Sequence, residues 1–227
     1  MNRMTDYQKH SLNEVAVMYI KNKILSGEFK SGDKLVEADI SNELSISRAP
    51  VREAMRQLNV QGLIMFLPRK GNYVLEMSAE ETLEVFDIRV ALEEQILALI
   101  VKNQLLHEKE YTQLSYFIDS MQKQEGKYLS LHEKIYQLNY LDLSFHSHLW
   151  NISRSARRGQ ILENLFLQLL IAMNRNVLSL GTFSEKAVEH ERILDALRRN
   201  DLEEVLNEFK IHIYSYVQAT QKNVFLT

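Results

Sequence analysis

Helix-breaking residues are scarce in this chain and occur mainly at one end of it. Proline is found only at positions 50 and 68, and the 227 residues include only seven glycines. Because proline and glycine most often interrupt regular structure, this sequence is predicted to be mainly helical. Both prolines precede residue 76, so the first third of the chain is expected to differ in architecture from the rest.

The charged residues divide at the same place. Residues 1–75 contain 11 Lys and Arg against 8 Asp and Glu, whereas residues 76–227 contain 16 against 22. We therefore predict a small basic domain over 1–75 and a larger acidic domain over 76–227. There is no cysteine, which excludes disulfides and thiolate metal sites. The lack of a signal-peptide pattern, and of an apolar run of about 20 residues, favours a cytoplasmic protein with no membrane partner.

The first 75 residues have the pattern of a winged helix-turn-helix. Apolar residues at helical spacing predict helices at 11–26 and 36–44, and Ser47 is expected to cap a third helix that ends at Gly62. The turn-rich segment "GEFKSGDKL" separates the first two helices. The stretch "LIMFLPRKGNYVLEM", which follows the third helix, is typical of two strands joined by a turn. The expected architecture is three helices followed by a small β-hairpin wing.

The third helix carries a stripe of arginines. Arg48, Arg52 and Arg56 are four residues apart and share one helical face, while the apolar residues between them can pack on the first two helices. A guanidinium group matches guanine edges and phosphates bidentately, and the second helix of a helix-turn-helix lies in the major groove. We expect base contacts from Arg48 and Arg52 and a backbone contact from Arg56. The alternative is a solvated charged face on a small bundle.

The tip of the predicted wing extends this interface. Its two cations are placed to reach a neighbouring groove or a phosphate. The predicted contacts to double-stranded operator DNA are Ser47, Arg48, Arg52, Arg56, Arg69 and Lys70.

The segment "GEFKSGDKLVEADISNELSISRAPVREAMRQLNVQGLI" resembles the winged-helix domain of GntR-family bacterial transcription regulators. The matching elements are Gly-x-Phe-x-x-Gly-x-x-Leu, Ser-Arg-x-Pro-Val-Arg-Glu-Ala and Leu-x-x-x-Gly-Leu. The resemblance implies a transcription regulator in which Arg48 and Arg52 contact the operator. The chain departs from some FadR-type members, which carry a further DNA-contacting arginine where this chain has Ala38.

The remaining sequence predicts an all-α antiparallel helical bundle. Helices are expected near residues 79–106, 108–125, 130–151, 155–180, 184–199 and 202–222. The segments "IRVALEEQILAL", "DLSFHSHLW", "EHERILDALRRND" and "KIHIYSYV" resemble the all-helical FCD ligand-binding domain of the FadR subgroup. The resemblance implies that this half of the chain binds an effector.

Four polar side chains occupy positions that should be core. Asp142, His146, His190 and His212 each fall within an apolar stripe of a predicted helix. Because an unpaired buried carboxylate is costly, these residues need one another or an ion. Three imidazoles and one carboxylate suit a divalent metal, with zinc as the first expectation and nickel, manganese or iron as alternatives. The FadR resemblance implies the same site, since a subset of these domains holds a metal with such a set. The alternative to a metal site is a group of hydrogen-bonded core residues.

A buried cation and carboxylate are predicted on the helix that leads out of the DNA-binding domain. Arg89 and Glu93 fall within one apolar stripe of that helix. An arginine that faces the core near a metal can bind the carboxylate of a small organic-acid effector, and the family resemblance implies the same role. The alternative is an internal ion pair between Arg89 and Glu93.

These observations together predict a metabolite-responsive transcription regulator, a repressor rather than an enzyme. A homodimer is expected, because an isolated winged domain binds one half-site weakly, and residues 79–227 should hold it together. Two alternatives remain open at this stage. One is a metal-dependent enzyme with its active site in the helical bundle, and the other is a regulator whose metal is purely structural.

Overall fold

The computed structural model of the protein describes residues 10–173 and 182–224. Within these residues the elements run in the order α1 (Leu12–Leu25), β1 (Lys34–Leu35), α2 (Glu37–Leu44), α3 (Arg48–Val60), β2 (Ile64–Leu67), β3 (Gly71–Val74), α4 (Ala79–Lys102), α5 (Glu108–Gln122), α6 (Leu131–Ile152), α7 (Ala156–Met173), α8 (Phe183–Arg199) and α9 (Leu202–Val224). The predicted fold class is therefore confirmed: a winged helix-turn-helix precedes an all-helical bundle.

The helix that carries the arginine stripe is held by its apolar face. Its buried residues are Val51, Ala54, Met55 and Leu58, and this face packs against α1 and α2. The side chains of the three arginines lie on the exposed side. α3 ends with a Schellman motif, in which the N–H of Gly62 bonds to the carbonyl of Asn59 and that of Leu63 to the carbonyl of Leu58.

The wing contains one strand more than the predicted hairpin. The three strands lie in the order β1-β3-β2, and both pairings are antiparallel, with Lys34 opposite Tyr73 and Ile64 opposite Val74. β1 falls in the segment that the sequence indicated to be only a connector. Two residues are too few to show strand periodicity, and they become a strand because β3 offers them an unpaired edge.

The long helices begin at strong capping signals. Ser78, Ser130 and Thr182 each form a capping box with the glutamate three residues later. α4 ends at Lys102, before the predicted residue 106, because the chain adopts a left-handed conformation at Gln104 with φ 49°. The predicted end of the fourth bundle helix at residue 180 lies outside the described residues.

In the described part of the chain, helices α4 to α9 pack around one core. α4 packs on α7 and α9, α5 packs on α6 and α8, and α8 packs on α9. Large aromatic side chains fill the interior, and Phe145, Phe166 and Phe209 are almost completely buried. No helix in the described ranges is both long enough and apolar enough to span a membrane.

The N-terminal elements rest on the bundle through α1, which contacts α6 and α7. The amide of Asn139 on α6 donates a hydrogen bond of 2.9 Å to the carbonyl of Leu25, at the end of α1. Lys21 and Glu163 form an ion pair of 2.8 Å across the same contact. The helix that carries Asp142 and His146 therefore also supports the N-terminal winged elements.

Candidate metal centre and nucleic-acid interface

The four residues proposed as metal ligands meet in the interior of the bundle. α6 contributes Asp142 and His146, α8 contributes His190, and α9 contributes His212. One candidate ligand atom from each residue lies within 4.8 Å of those of the other three, and all four side chains are buried. On α6 the two ligands are one helical turn apart, so the local helix aims both of them at the same point.

Each imidazole of the cluster is oriented by a hydrogen bond at Nδ1. Nδ1 of His146 lies 2.9 Å from Oε2 of Glu93, and Nδ1 of His212 lies 2.8 Å from Oε2 of Glu189. Nδ1 of His190 lies 2.7 Å from the main-chain carbonyl of Lys186. Carboxylate and carbonyl oxygens only accept, so the proton of each ring is assigned to Nδ1. The lone pair of each Nε2 is then free for a metal, which is the arrangement that orients histidine ligands in known metal sites.

The Nε2 atoms crowd together in a way that suits a cation between them. The Nε2 atoms of His146 and His212 are 3.1 Å apart, and with both protons on Nδ1 their lone pairs face each other. Nε2 of His190 lies 3.0 Å from Oδ1 of Asp142. Yet this buried nitrogen has no hydrogen-bond partner of acceptable geometry among the residues the structure describes. Facing lone pairs and an unsatisfied buried nitrogen are the expected signs of a metal site, so these residues fit a divalent ion.

The protonation states that the surroundings favour also suit a metal. Burial, followed by the charge of the neighbouring His190, holds the pKa of His212 well below its ordinary value, so this imidazole is neutral. Burial alone would raise the pKa of Asp142, but the adjacent His190, whose Nε2 lies 3.0 Å from Oδ1, and the charges of the other two histidines lower it. The hydroxyl of Tyr216 also donates to Oδ1 of Asp142 at 3.3 Å. A neutral imidazole and an ionised carboxylate are the forms that bind metal.

Glu93 connects the cluster to Arg89. Its Oε1 accepts from Nε of Arg89 at 2.6 Å, and its Oε2 accepts from the indole of Trp150 at 3.0 Å as well as from His146. Burial would raise the pKa of Glu93, but the charges of His146 and Arg89 and their hydrogen bonds lower it to about 2. The internal ion pair considered from sequence is therefore present. Both carboxylate oxygens of Glu93 accept hydrogen bonds from protein groups, which favours a role in orienting the His146 ring.

One nitrogen of the Arg89 guanidinium group makes no hydrogen bond to the described residues. Its guanidinium is buried and lies over the ring of Phe166, 4.7 Å from the ring centroid. Nη2 is buried and has no hydrogen-bond partner in the described part of the chain. A buried guanidinium nitrogen without a partner is costly, so this atom is a candidate contact for a ligand.

Sequence reasoning missed three of the residues that surround the ligands: Lys186, Glu189 and Tyr216. Little in the sequence indicated their role, because Lys186 and Glu189 resemble ordinary surface charges of an amphipathic helix. Only the position of Lys186 four residues before His190 could have suggested a shared face. The other histidines lie elsewhere, since His148 packs edge-on against Phe117 and Nδ1 of His132 lies 2.9 Å from the carbonyl of Ser26.

The predicted DNA-reading residues lie on one exposed surface. Arg48, Arg52 and Arg56 are exposed on α3, and Arg52 is held by a bidentate ion pair to Glu37 of α2, with Nη2 and Oε2 2.8 Å apart. Arg56 lies 3.6 Å from Glu53. The pair between Arg52 and Glu37 fixes the direction of this side chain relative to α2, whereas Arg48 extends from the first residue of α3.

The remaining predicted DNA contacts occupy the ends of elements. Ser47 is the N-cap residue of α3, but its side chain makes no capping hydrogen bond, so its hydroxyl is available for other partners. Arg69 and Lys70 are exposed in the turn between β2 and β3, and Arg69 has φ 65°. The structure thus brings these three residues to exposed positions near the ends of α3 and of the wing.

The fold defines a winged helix-turn-helix protein with an all-helical C-terminal domain that contains the buried cluster. Residues 12–74 match the family described as bacterial regulatory proteins, gntR family, and residues 84–215 match the FCD domain. The chain belongs to the GntR family of bacterial regulatory proteins and contains an FCD domain.

Individual relatives agree with this assignment. The chain is 30% identical to the gluconate operon transcriptional repressor of Bacillus licheniformis, over 78% of this chain and 68% of that one. It is 29% identical to YdhC of Bacillus subtilis, an uncharacterized HTH-type transcriptional regulator. That match covers 59% of this chain and only 61% of YdhC. The solved structure of E. coli McbR/YncC superposes with a TM-score of 0.82 at 19% identity, over 95% of this chain and 99% of that one, which supports the fold.

Proposed function

We propose that the protein is a DNA-binding transcription regulator of the FadR subgroup, a repressor that responds to a small organic acid through a metal centre. In this proposal residues 1–75 bind operator DNA, and residues 76–227 bind metal and effector and form a homodimer in the cytoplasm. The observation that supports the metal and effector part is the buried cluster of Asp142 and three histidines. Glu93 links this cluster to Arg89, whose Nη2 has no hydrogen-bond partner among the described residues. The matched families and relatives are regulators, which supports a regulator over an enzyme.

The DNA-binding part rests on the exposed arginine surface of α3. The apolar face of this helix is consumed by packing, so the arginines project from a rigid support. We assign Arg48 and Arg52 to base edges, and Arg56, Ser47 and the wing cations Arg69 and Lys70 to the remaining contacts. The ion pair to Glu37 orients the side chain of Arg52, and DNA would then bind the Nη1 and Nη2 atoms of its guanidinium group.

The metal part rests on the chemistry of the donor set. Asp142, His146, His190 and His212 would hold one divalent ion, and nitrogen-rich sets of this kind favour zinc, with nickel, manganese or iron as alternatives. When bound, the ion supplies a Lewis-acidic position for water or a ligand carboxylate. The protein residues orient the donors and exclude bulk water from the cluster.

The effector part follows from charge. Around the cluster the carboxylates of Asp142, Glu93 and Glu189 face the cations Arg89 and Lys186, which leaves one net negative charge with neutral imidazoles. A divalent ion changes this to one net positive charge. Because a buried uncompensated charge is costly, an anionic ligand is favoured once metal is present. Nη2 of Arg89, which has no hydrogen-bond partner in the part of the chain described, would bind the carboxylate of this ligand.

The DNA-binding assignment can be tested without knowledge of the operator. Selection from a random pool of double-stranded DNA should enrich a defined sequence with the wild-type protein. Arg48→Ala and Arg52→Ala should each weaken binding to it by about 1–3 kcal/mol and relax base preference. Arg157→Ala, a change of an exposed arginine on α7, is the control and should leave binding intact. Equal binding by all four proteins would refute the assignment.

The metal and effector assignments need a second experiment. Elemental analysis of purified protein should find one divalent ion per chain, which is lost in a His190→Ala, His212→Ala double variant and retained in His148→Ala. A thermal-shift screen of small carboxylic acids should then find ligands for the zinc-loaded protein. Arg89→Gln should keep the metal and lose that response. A metal-loaded protein for which every acid gives no shift would favour a purely structural ion.

A further inference from the structure

We propose that Lys186 is the positioning residue that organises one side of the metal centre, an inference that rests on the metal site proposed above. Lys186 lies in the first turn of α8 and is only 4% exposed. An ammonium group buried to this extent is costly unless it is fully partnered. The contacts of Lys186 therefore indicate its role, and they connect it to three of the four proposed ligands.

The first route runs through Glu189 to His212. Nζ of Lys186 lies 2.9 Å from Oε2 of Glu189, and the same oxygen accepts from Nδ1 of His212 at 2.8 Å. Glu189 is one helical turn from Lys186, so α8 itself sets this pairing. The ammonium holds Glu189 in place, and Glu189 in turn fixes the ring orientation of His212.

The second route uses the main chain. The carbonyl of Lys186 accepts a hydrogen bond of 2.7 Å from Nδ1 of His190, one turn further along α8. The backbone of Lys186 thus fixes the rotamer of His190, and the side chain of the same residue positions His212 through Glu189. Two of the three imidazoles are therefore positioned from one point on α8.

The third route passes through an aromatic ring. Nζ of Lys186 lies over the ring of Tyr216, 3.7 Å from the centroid, and the hydroxyl of Tyr216 donates to Asp142 at 3.3 Å. An ammonium at this distance from an aromatic face is attracted to it and restrains it. The fourth ligand, His146, is positioned from the opposite side by Glu93 and Arg89.

The two buried cations consequently have different roles. Arg89 retains a nitrogen with no hydrogen-bond partner among the described residues, whereas Nζ of Lys186 is occupied by Glu189, Ser215 and the Tyr216 ring. Lys186 therefore builds the ligand cage, and Arg89 is the cation left for an anionic effector.

The test measures metal binding, with zinc and cobalt as probes on the full-length protein. Lys186→Met keeps the length of the side chain and removes its charge. It should lower the zinc affinity by about 10–100-fold, which is the usual effect of losing an orienting contact behind a ligand. It should also alter the visible absorption spectrum of the cobalt-loaded protein, which reports ligand geometry. Lys210→Met is the matched control, because this exposed lysine pairs with Glu94 on the bundle surface, and it should leave both readouts unchanged.

A double-mutant cycle with Glu189→Gln tests the route. If Lys186 acts through Glu189, the two changes should be clearly less than additive in zinc affinity. Full additivity, or a wild-type zinc affinity in Lys186→Met, would overturn the inference. Glu189→Gln keeps Lys186 and should lower the zinc affinity by itself. If Lys186→Met does not fold, a wild-type zinc affinity in Glu189→Gln would overturn the inference. A wild-type protein that binds no zinc would instead refute the proposed metal site.

Discussion

Gly62 joins the end of the predicted DNA-reading helix to the bundle, and its substitution gives a sharp test of that contact. The residue has φ 72°, and a Cβ placed there would lie 2.5 Å from Nε2 of Gln168 on α7. The same Nε2 donates to the carbonyl of Gln61 at 3.3 Å. Gly62→Ala should therefore have two separate costs, one in the backbone and one in the contact with α7.

The two costs can be estimated. A left-handed conformation costs an ordinary residue roughly 1–2 kcal/mol. The side chain of Gln168 is flexible and can move away, but it then loses its hydrogen bond to Gln61, which adds about 0.5–1.5 kcal/mol. Gly126 supplies a reference for the backbone cost, because it has φ 75° and nothing lies within 4 Å of its added Cβ.

Equilibrium urea unfolding, followed by far-ultraviolet circular dichroism, measures these free energies. Gly62→Ala should lower the free energy of unfolding by about 0.5–1.5 kcal/mol more than Gly126→Ala does. In a Gln168→Ala background this excess should disappear, because the obstructing amide and its hydrogen bond are already gone. If Gly62→Ala costs the same with and without Gln168, the end of α3 is not held by α7 and the reasoning fails.

Three further predictions concern other parts of the molecule. Asn139→Leu should lower the free energy of unfolding by about 1–3 kcal/mol in the same urea assay, because it leaves the carbonyl of Leu25 without this buried donor; no change would mean that this contact is dispensable. Trp150 is the single tryptophan and donates to the carboxylate that orients a proposed ligand, so zinc titration should change the intrinsic fluorescence, and a flat titration despite bound zinc would contradict the geometry. The hydrogen bond from Arg52 lowers the pKa of Glu37 below its ordinary value of 4.5. The stabilisation from that pair should be complete above this pH and be lost as pH falls through the lowered pKa. Glu37→Gln should therefore flatten the acid limb of the melting temperature against pH, and an unchanged limb would exclude the pair as its cause.

Features whose cause lies within one or two helical turns were predictable. The capping boxes at Ser78, Ser130 and Thr182 begin helices close to the expected residues, because the side chain and the N–H it binds are three positions apart. The spacing of Asp142 and His146 required both side chains to share a face, and they do. The strand β1 was not predictable, because its pairing with β3 and not its own two residues makes it a strand.

The surroundings of the ligands show where local reasoning ends. The ion pair between Arg89 and Glu93 could be offered as an alternative to effector binding because the two residues are one turn apart on α4. The link from Glu93 to His146 joins residues 53 positions apart, and that from Glu189 to His212 joins residues 23 apart. Nothing in the sequence pattern specifies which carboxylate meets which imidazole.

Sequence alone therefore determined the helical content, the winged helix-turn-helix and the residue types that could bind DNA and metal, because periodicity, capping and turn chemistry act over a few residues. The tertiary structure decided which of these residues meet. It packs α4, α6, α8 and α9 so that the Nε2 atoms converge, and it leaves one nitrogen of Arg89 without a partner in the described residues. It also buries Lys186, which its sequence neighbourhood would place on the surface, because the packing of α8 against α9 supplies an acid, a hydroxyl and an aromatic ring around one ammonium.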